Sequence, residues 1–144
     1  MIALAPTHPL TVLVVDDHDA VRDIIARELK QLGYQVLTAA DGQEALNVIE
    51  EPGIGVHLVI CDLVMPRLDG YQLARRLAEL PSAPEIIFVT AFRSELELDG
   101  LPIITKPFHL DDLRTAVQLV LQKRATHASE PPPQSLPEGD VDGS

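Results

Sequence analysis

LVICDLVMPRLDG, residues 58–70, passes from an unbroken apolar run to a single aspartate, Asp62, and then through Pro66 to an Asp-Gly pair. A short apolar run without alternation is what a central strand of a parallel sheet presents, because both of its faces are covered. An ionised carboxylate at the rim of such a sheet loses hydration, so it needs hydrogen bonds, a cation or a chemical task to stay charged. Four more runs share the strand character: VLVVD (12–16), QVLTA (35–39), EIIFVT (85–90) and PIIT (102–105).

Helical patterns lie between these runs. The first spans Asp19 to Leu32, with Val21, Ile24, Ile25, Ala26, Leu29 and Leu32 along one stripe and Gly33 as a C-terminal stop. A shorter one spans Gln43–Glu50. Tyr71–Leu80 presents Leu73, Leu77 and Leu80, and Asp111–Arg124 presents Leu113, Ala116, Val117, Val120 and Leu121. Alternation of strand and helix predicts an α/β fold, a doubly wound parallel sheet of five strands whose functional residues collect at the carboxyl ends of the strands.

The 144 residues are about one domain's worth of chain, and 46% are hydrophobic with only 3% aromatic, so the core is aliphatic. A formal charge of -11 argues against nucleic acid or an anionic membrane as a direct partner and allows an acidic metal site. Cys61 has no intrachain disulfide partner, and MIALAPTHPL lacks the features of a secretory signal, which fits a cytoplasmic protein. Residues 1–10 read as a short extension, 11–124 as the folded domain and 125–144 as a disordered Pro-rich tail. That tail holds four acids and no Lys or Arg, leaving 18 acids against 11 bases in the rest.

The strand ends carry the chemistry. Strand one ends in Asp16-Asp17, strand three in Asp62, strand four in Thr90 and strand five in Lys106. Three converging carboxylates repel one another unless a cation joins them, and Mg²⁺, an oxygen-seeking ion commonly held by one or two carboxylates plus phosphate, is the natural candidate. A carboxylate beside it can attack phosphorus and become an aspartyl phosphate, with a lysine ammonium and a threonine hydroxyl stabilising the transferring oxygens. Taken singly, Asp16-Asp17 would serve as a helix start, and Thr90 and Lys106 as surface residues. Their joint occurrence at four strand ends favours the site. Cys61 reads as core, Asp69-Gly70 as the start of the third helix, and His18 as a loop residue, the five histidines showing no metal spacing.

In order and spacing, VLVVDD, CDLVMPRLDG, FVTA and TKPF resemble the receiver domains of bacterial two-component response regulators, over about residues 10–124. The resemblance implies a flavodoxin-like receiver fold of strand order 2-1-3-4-5. It makes Asp62 the phosphoacceptor. Asp16, Asp17, Asp62 and the backbone carbonyl of Val64 would hold Mg²⁺, Thr90 and Lys106 would contact the phosphoryl group, and a cis Lys106-Pro107 bond would aim the lysine. A histidine kinase or histidine phosphotransfer protein would be the donor. With no output domain in the sequence, a monomer signalling through a downstream protein target is expected, catalysing only its own phosphorylation and dephosphorylation.

This chain departs from the family pattern in three places. AFRSELELDGLPIIT, between Thr90 and Lys106, leaves room only for a reduced fourth helix. Ile103 stands where an aromatic switch residue is common. Val64 and Phe92, both apolar, flank the path of the attacking water, so slow self-dephosphorylation is expected.

Rival readings fit less well. A haloacid-dehalogenase-like phosphatase also uses an Asp nucleophile and Mg²⁺, and Asp17-His18-Asp19 supplies its DxD, but Val21 stands where its Thr belongs and Asp111-Asp112 open a helix. A dinucleotide fold needs glycines that DDHDAV lacks. A phosphorylation-independent binding module has no use for the intact acidic set.

Overall fold

The computed structural model describes residues 10–65, 68–91 and 102–129, with backbone alone for 125–129. Five strands, β1 (Thr11–Val15), β2 (Gln35–Ala39), β3 (Leu58–Cys61), β4 (Glu85–Thr90) and β5 (Ile103–Thr105), form one parallel sheet in the order β2-β1-β3-β4-β5. Among the described residues four helices accompany them: α1 (Asp19–Gln31), α2 (Gly42–Glu50), α3 (Gly70–Ala78) and α4 (Leu110–Ser129).

Side-chain alternation along the strands builds two cores. Val12 and Val14 of β1, with Ile60 and Ile87, face Ile25 and Leu29 of α1 and Leu113 and Val117 of α4. Leu13 and Val15, with Val59, Cys61 and Phe88, face Ala45 and Leu46 of α2 and Leu73 and Leu77 of α3. Cys61 is therefore core, as its setting predicts. The apolar runs of β1, β3 and β4 are buried almost throughout, whereas β2 and β5 are edge strands and only partly buried. Reading all five runs as covered on both faces overlooked those edges.

Two boundaries are corrected. α4 runs to Ser129, five residues beyond the helix end expected at Arg124, because Ala125–Ala128 contain neither Gly nor Pro and the proline run begins only at Pro131. Thr11, in turn, joins β1 because it pairs with Gln35 of β2, and it is held as well by His57, whose Nδ1 accepts from its N–H (3.0 Å) and whose N–H donates to its carbonyl (2.9 Å). Gly33 ends α1 at φ +99°, the left-handed conformation that favours glycine. The reduced fourth helix falls at residues 92–101, outside the described residues.

Candidate functional site

β1 and β3 are neighbours at the switch point of the sheet, so the residues that follow them are delivered side by side. The ladder continues one residue past each strand: Asp62 N–H donates to the Val15 carbonyl (2.9 Å) and Asp16 N–H to the Ala39 carbonyl (3.2 Å). These bonds hold Asp16 and Asp62 at the rim yet out of water, 1% and 5% exposed. Asp17, one residue further, is exposed.

The β1–α1 turn is built by its own polar groups. Asp16 Oδ1 accepts from the His18 N–H at 2.8 Å, and Arg22 reaches back from α1 to donate to the Asp16 carbonyl at 2.7 Å and to the Asp19 carboxylate. His18 is the N-cap of α1, and its side chain makes no capping bond. Asp16-Asp17 is thus not the helix cap that the plainer reading made it. Asp19 points outward at 84% exposed, away from a DxD role.

Beyond β3 the chain turns so that Val64 N–H donates to Asp62 Oδ1 at 3.1 Å. Asp69 caps α3 as expected, accepting from Gln72 N–H while Gln72 returns a bond to Asp69 N–H. Gly70 lies directly behind the acidic residue: a Cβ there would come within 2.6 Å of the Asp62 carbonyl oxygen and 3.2 Å of Cys61 Sγ. Only a residue without a side chain allows that approach.

From the far side of the sheet Lys106 enters the cluster. Its N–H donates to the Thr90 carbonyl (2.8 Å), the Lys106-Pro107 bond is cis, and its ammonium donates to Asp16 Oδ2 (3.0 Å) and Asp62 Oδ2 (3.1 Å). Thr90 is buried at the end of β4, in register with Thr105. Ile103, also on β5, pairs with Phe88 and packs against the α2/α3 core. Phe92 lies outside the described residues.

The electrostatics follow from burial and these contacts. Burial pushes the Asp62 pKa above its ordinary value, Asp16 adds to the rise, and the Val64 N–H and Lys106 oppose it. For Lys106 burial pulls downward, but the hydrogen bonds and charges of Asp16 and Asp62 outweigh it and the pKa is raised. Burial, then the charges of Asp62 and Asp16, carry the Cys61 thiol well above its usual value, so it stays protonated and inert.

Donor atoms of Asp16, Asp17, His18 and Asp62 all lie within 4.8 Å of one another. Oxygen-rich and partly desolvated, this set fits a hard divalent cation. His18 is the member that sequence reasoning passed over. Its one signal was its place directly after the acidic pair.

A family model described as the response regulator receiver domain matches residues 12–118. The chain belongs to that family. It is 40% identical over 120 residues to the sensor kinase CckA of Brucella abortus, an overlap of 79% of this chain and 13% of that protein. To the probable transcriptional regulator ycf27 of Cyanophora paradoxa it is 37% identical over 120 residues, 78% of this chain and 48% of the relative. It therefore spans half or less of the length of these curated relatives.

Solved receivers share the fold. A CheY-like receiver domain from Methanospirillum hungatei superposes with TM-score 0.75 at 28% identity, covering 83% of this chain and 98% of that one. The response regulator TrrA of Thermotoga maritima, solved in complex with Mg(2+)-BeF, gives TM-score 0.69 at 31% identity, covering 77% and 98%. The observed strand order is the one the resemblance implied, and receivers bind Mg²⁺ at an acidic pocket of this kind. Membership of this family sets aside the dehalogenase-like and dinucleotide-binding readings.

Proposed function

We propose that Asp62 accepts a phosphoryl group from a histidine kinase or a histidine phosphotransfer protein, in a Mg²⁺-dependent reaction. The observation that carries this reading is the desolvated Asp62 carboxylate, set against Asp16 and within 3.1 Å of the Lys106 ammonium. An Asp62 oxygen attacks phosphorus, the bond from phosphorus to the donor's imidazole nitrogen breaks, and the electron pair leaves with the nitrogen. Lys106 and the Thr90 hydroxyl stabilise charge on the transferring oxygens. Asp16, Asp17, Asp62 and the Val64 carbonyl would hold Mg²⁺, which when bound supplies positive charge to those same oxygens.

The donor needs a landing place, and an apolar cleft beside the site supports one. It is lined by Val21, Ile24, Ala91, Pro107, Phe108 and Leu110 along with Lys106, and Ile24 is 50% exposed. Among the described residues no helix is long and apolar enough to cross a membrane, in keeping with a cytoplasmic place of action. Signalling then runs through contact with a downstream protein, from a monomer.

Acetyl phosphate with Mg²⁺ tests the reading. Intact-mass measurement should find one added phosphate on wild type and none on Asp62→Asn. Equal labelling of both, or of neither, overturns it.

A further inference from the structure

We propose that His18 supplies a nitrogen donor to the cation pocket of Asp16, Asp17 and Asp62, giving it a stronger preference for borderline transition ions over Mg²⁺ than the carboxylates alone confer. This rests on the reading that the carboxylates hold a divalent cation. It adds a residue and an ion class to that reading.

The geometry points to coordination. His18 Nδ1 lies 3.3 Å from Asp16 Oδ1 and 3.4 Å from Asp17 Oδ1. Ligands bound at about 2.1 Å to one ion sit about 3 Å from their neighbours and about 4.2 Å from an opposite ligand. The observed separations, none beyond 4.8 Å, therefore need only a slight contraction to surround one ion.

The ring also has no capping bond to give up for the task. An N-cap side chain normally accepts from the first turn of its helix. That of His18 does not: its N–H binds Asp16 Oδ1, and its ring turns to the carboxylates although 67% of the side chain is exposed. Exposure leaves it room to adjust without disturbing either core.

The chemical consequence is selectivity. Mg²⁺ takes oxygen and gains little from imidazole, whereas Co²⁺, Ni²⁺ and Zn²⁺ accept it readily. A nitrogen at this position raises the affinity for the second group alone.

The test uses the full 144-residue chain as wild type, His18→Ala and His18→Phe. Co²⁺ binding is followed by its visible absorption, counting only the part that excess Mg²⁺ displaces, which confines the measurement to the shared pocket. Mg²⁺ binding is followed by calorimetry. Losing His18 should weaken Co²⁺ by about tenfold or more and Mg²⁺ by less than about twofold, and should alter the Co²⁺ spectrum, since an inner ligand matters at least as much as an outer-shell one. Equal changes for the two ions, or none for either, overturn the inference while leaving the Mg²⁺ reading intact. Wild type that binds neither ion overturns both.

Discussion

The Lys106 ammonium lies 3.1 Å from Asp62 Oδ2, joining the ends of two strands, β5 and β3, that β4 separates in the sheet. The same nitrogen reaches Asp16 Oδ2, so one cation serves two buried carboxylates. Lys106→Met leaves those carboxylates facing each other. With the ammonium itself partly solvated, the expected loss is about 2 kcal/mol, below that for a fully buried pair. Urea unfolding in EDTA measures it, and added Mg²⁺ should restore part of the loss. Equal stability of variant and wild type in EDTA would show that the ammonium does not hold the carboxylates together.

Asp62→Asn should act in the opposite sense. The folded pKa of Asp62 is raised, first by burial, above the ordinary 3.8. Such a group favours the fold below its unfolded pKa, and the contribution is lost as pH rises through the folded value, so ionised Asp62 is a cost at neutral pH. In EDTA near pH 7 the variant should melt higher by roughly 2–5 °C, with the gap closing as pH falls toward 3.8. A gap that is constant with pH would refute the assignment.

His57 gives a pH signal far from the site. Burial, then the charge of Arg124, lowers its pKa below 6.5. Here the unfolded chain binds the proton first, so the contribution to stability is complete above 6.5 and lost as pH falls through and below that value. The stability difference between wild type and His57→Gln should shrink between pH 7.5 and 5.5. A difference that grows as pH falls would reverse the sign argued here.

Much of this arrangement was legible in the chain because strand ends are marked by where an apolar run meets a polar residue: Asp16, Asp62 and Thr90 stand at such points. Lys106 follows β5 directly and was found the same way. What escaped depends on contacts between distant residues. Thr11 joins β1 through Gln35 of β2 and is tied to His57, 46 positions away, and no local pattern announces those pairings. Arg22 anchors the Asp16 carbonyl, and the only local sign was its D-x-x-R spacing from Asp19. His18 shows no metal spacing to the other histidines because its neighbours in the cluster are aspartates.

Gly70→Ala tests the tight backing of the acidic residue. The new Cβ meets backbone, the Asp62 carbonyl oxygen at 2.6 Å and Leu63 Cα at 2.9 Å, and backbone cannot swing aside as a side chain can. A loss of about 1–3 kcal/mol is expected, as for overpacking elsewhere, together with slower phosphorylation by acetyl phosphate. Unchanged stability and rate would mean that the loop yields freely.

Val64 bears on the lifetime of the phosphorylated state. Its N–H is held by Asp62 Oδ1, and its side chain, 54% exposed, offers water no hydrogen bond. Val64→Asn places an amide there and should hasten hydrolysis of the aspartyl phosphate several-fold. A decay time course no faster than wild type would count against Val64 as a barrier to water.

The last prediction concerns what phosphorylation moves. Ile103 stands three residues before Lys106, in register with Phe88, and packs against the core that α2 and α3 cover. It has no ring to swing between an outward and an inward position, and no hydroxyl to meet a new partner. An apolar residue already resting on the core gains little from moving further in, so phosphorylation has no large side-chain rearrangement to drive on this edge of the sheet. The response should be small, centred on residues 91–101, and the protein should remain a monomer rather than pair through β5 and α4. Hydrogen exchange with and without beryllofluoride, together with light scattering, measures both. Doubling of mass with beryllofluoride, accompanied by protection of β5 and α4, would show that this edge forms an interface without an aromatic switch.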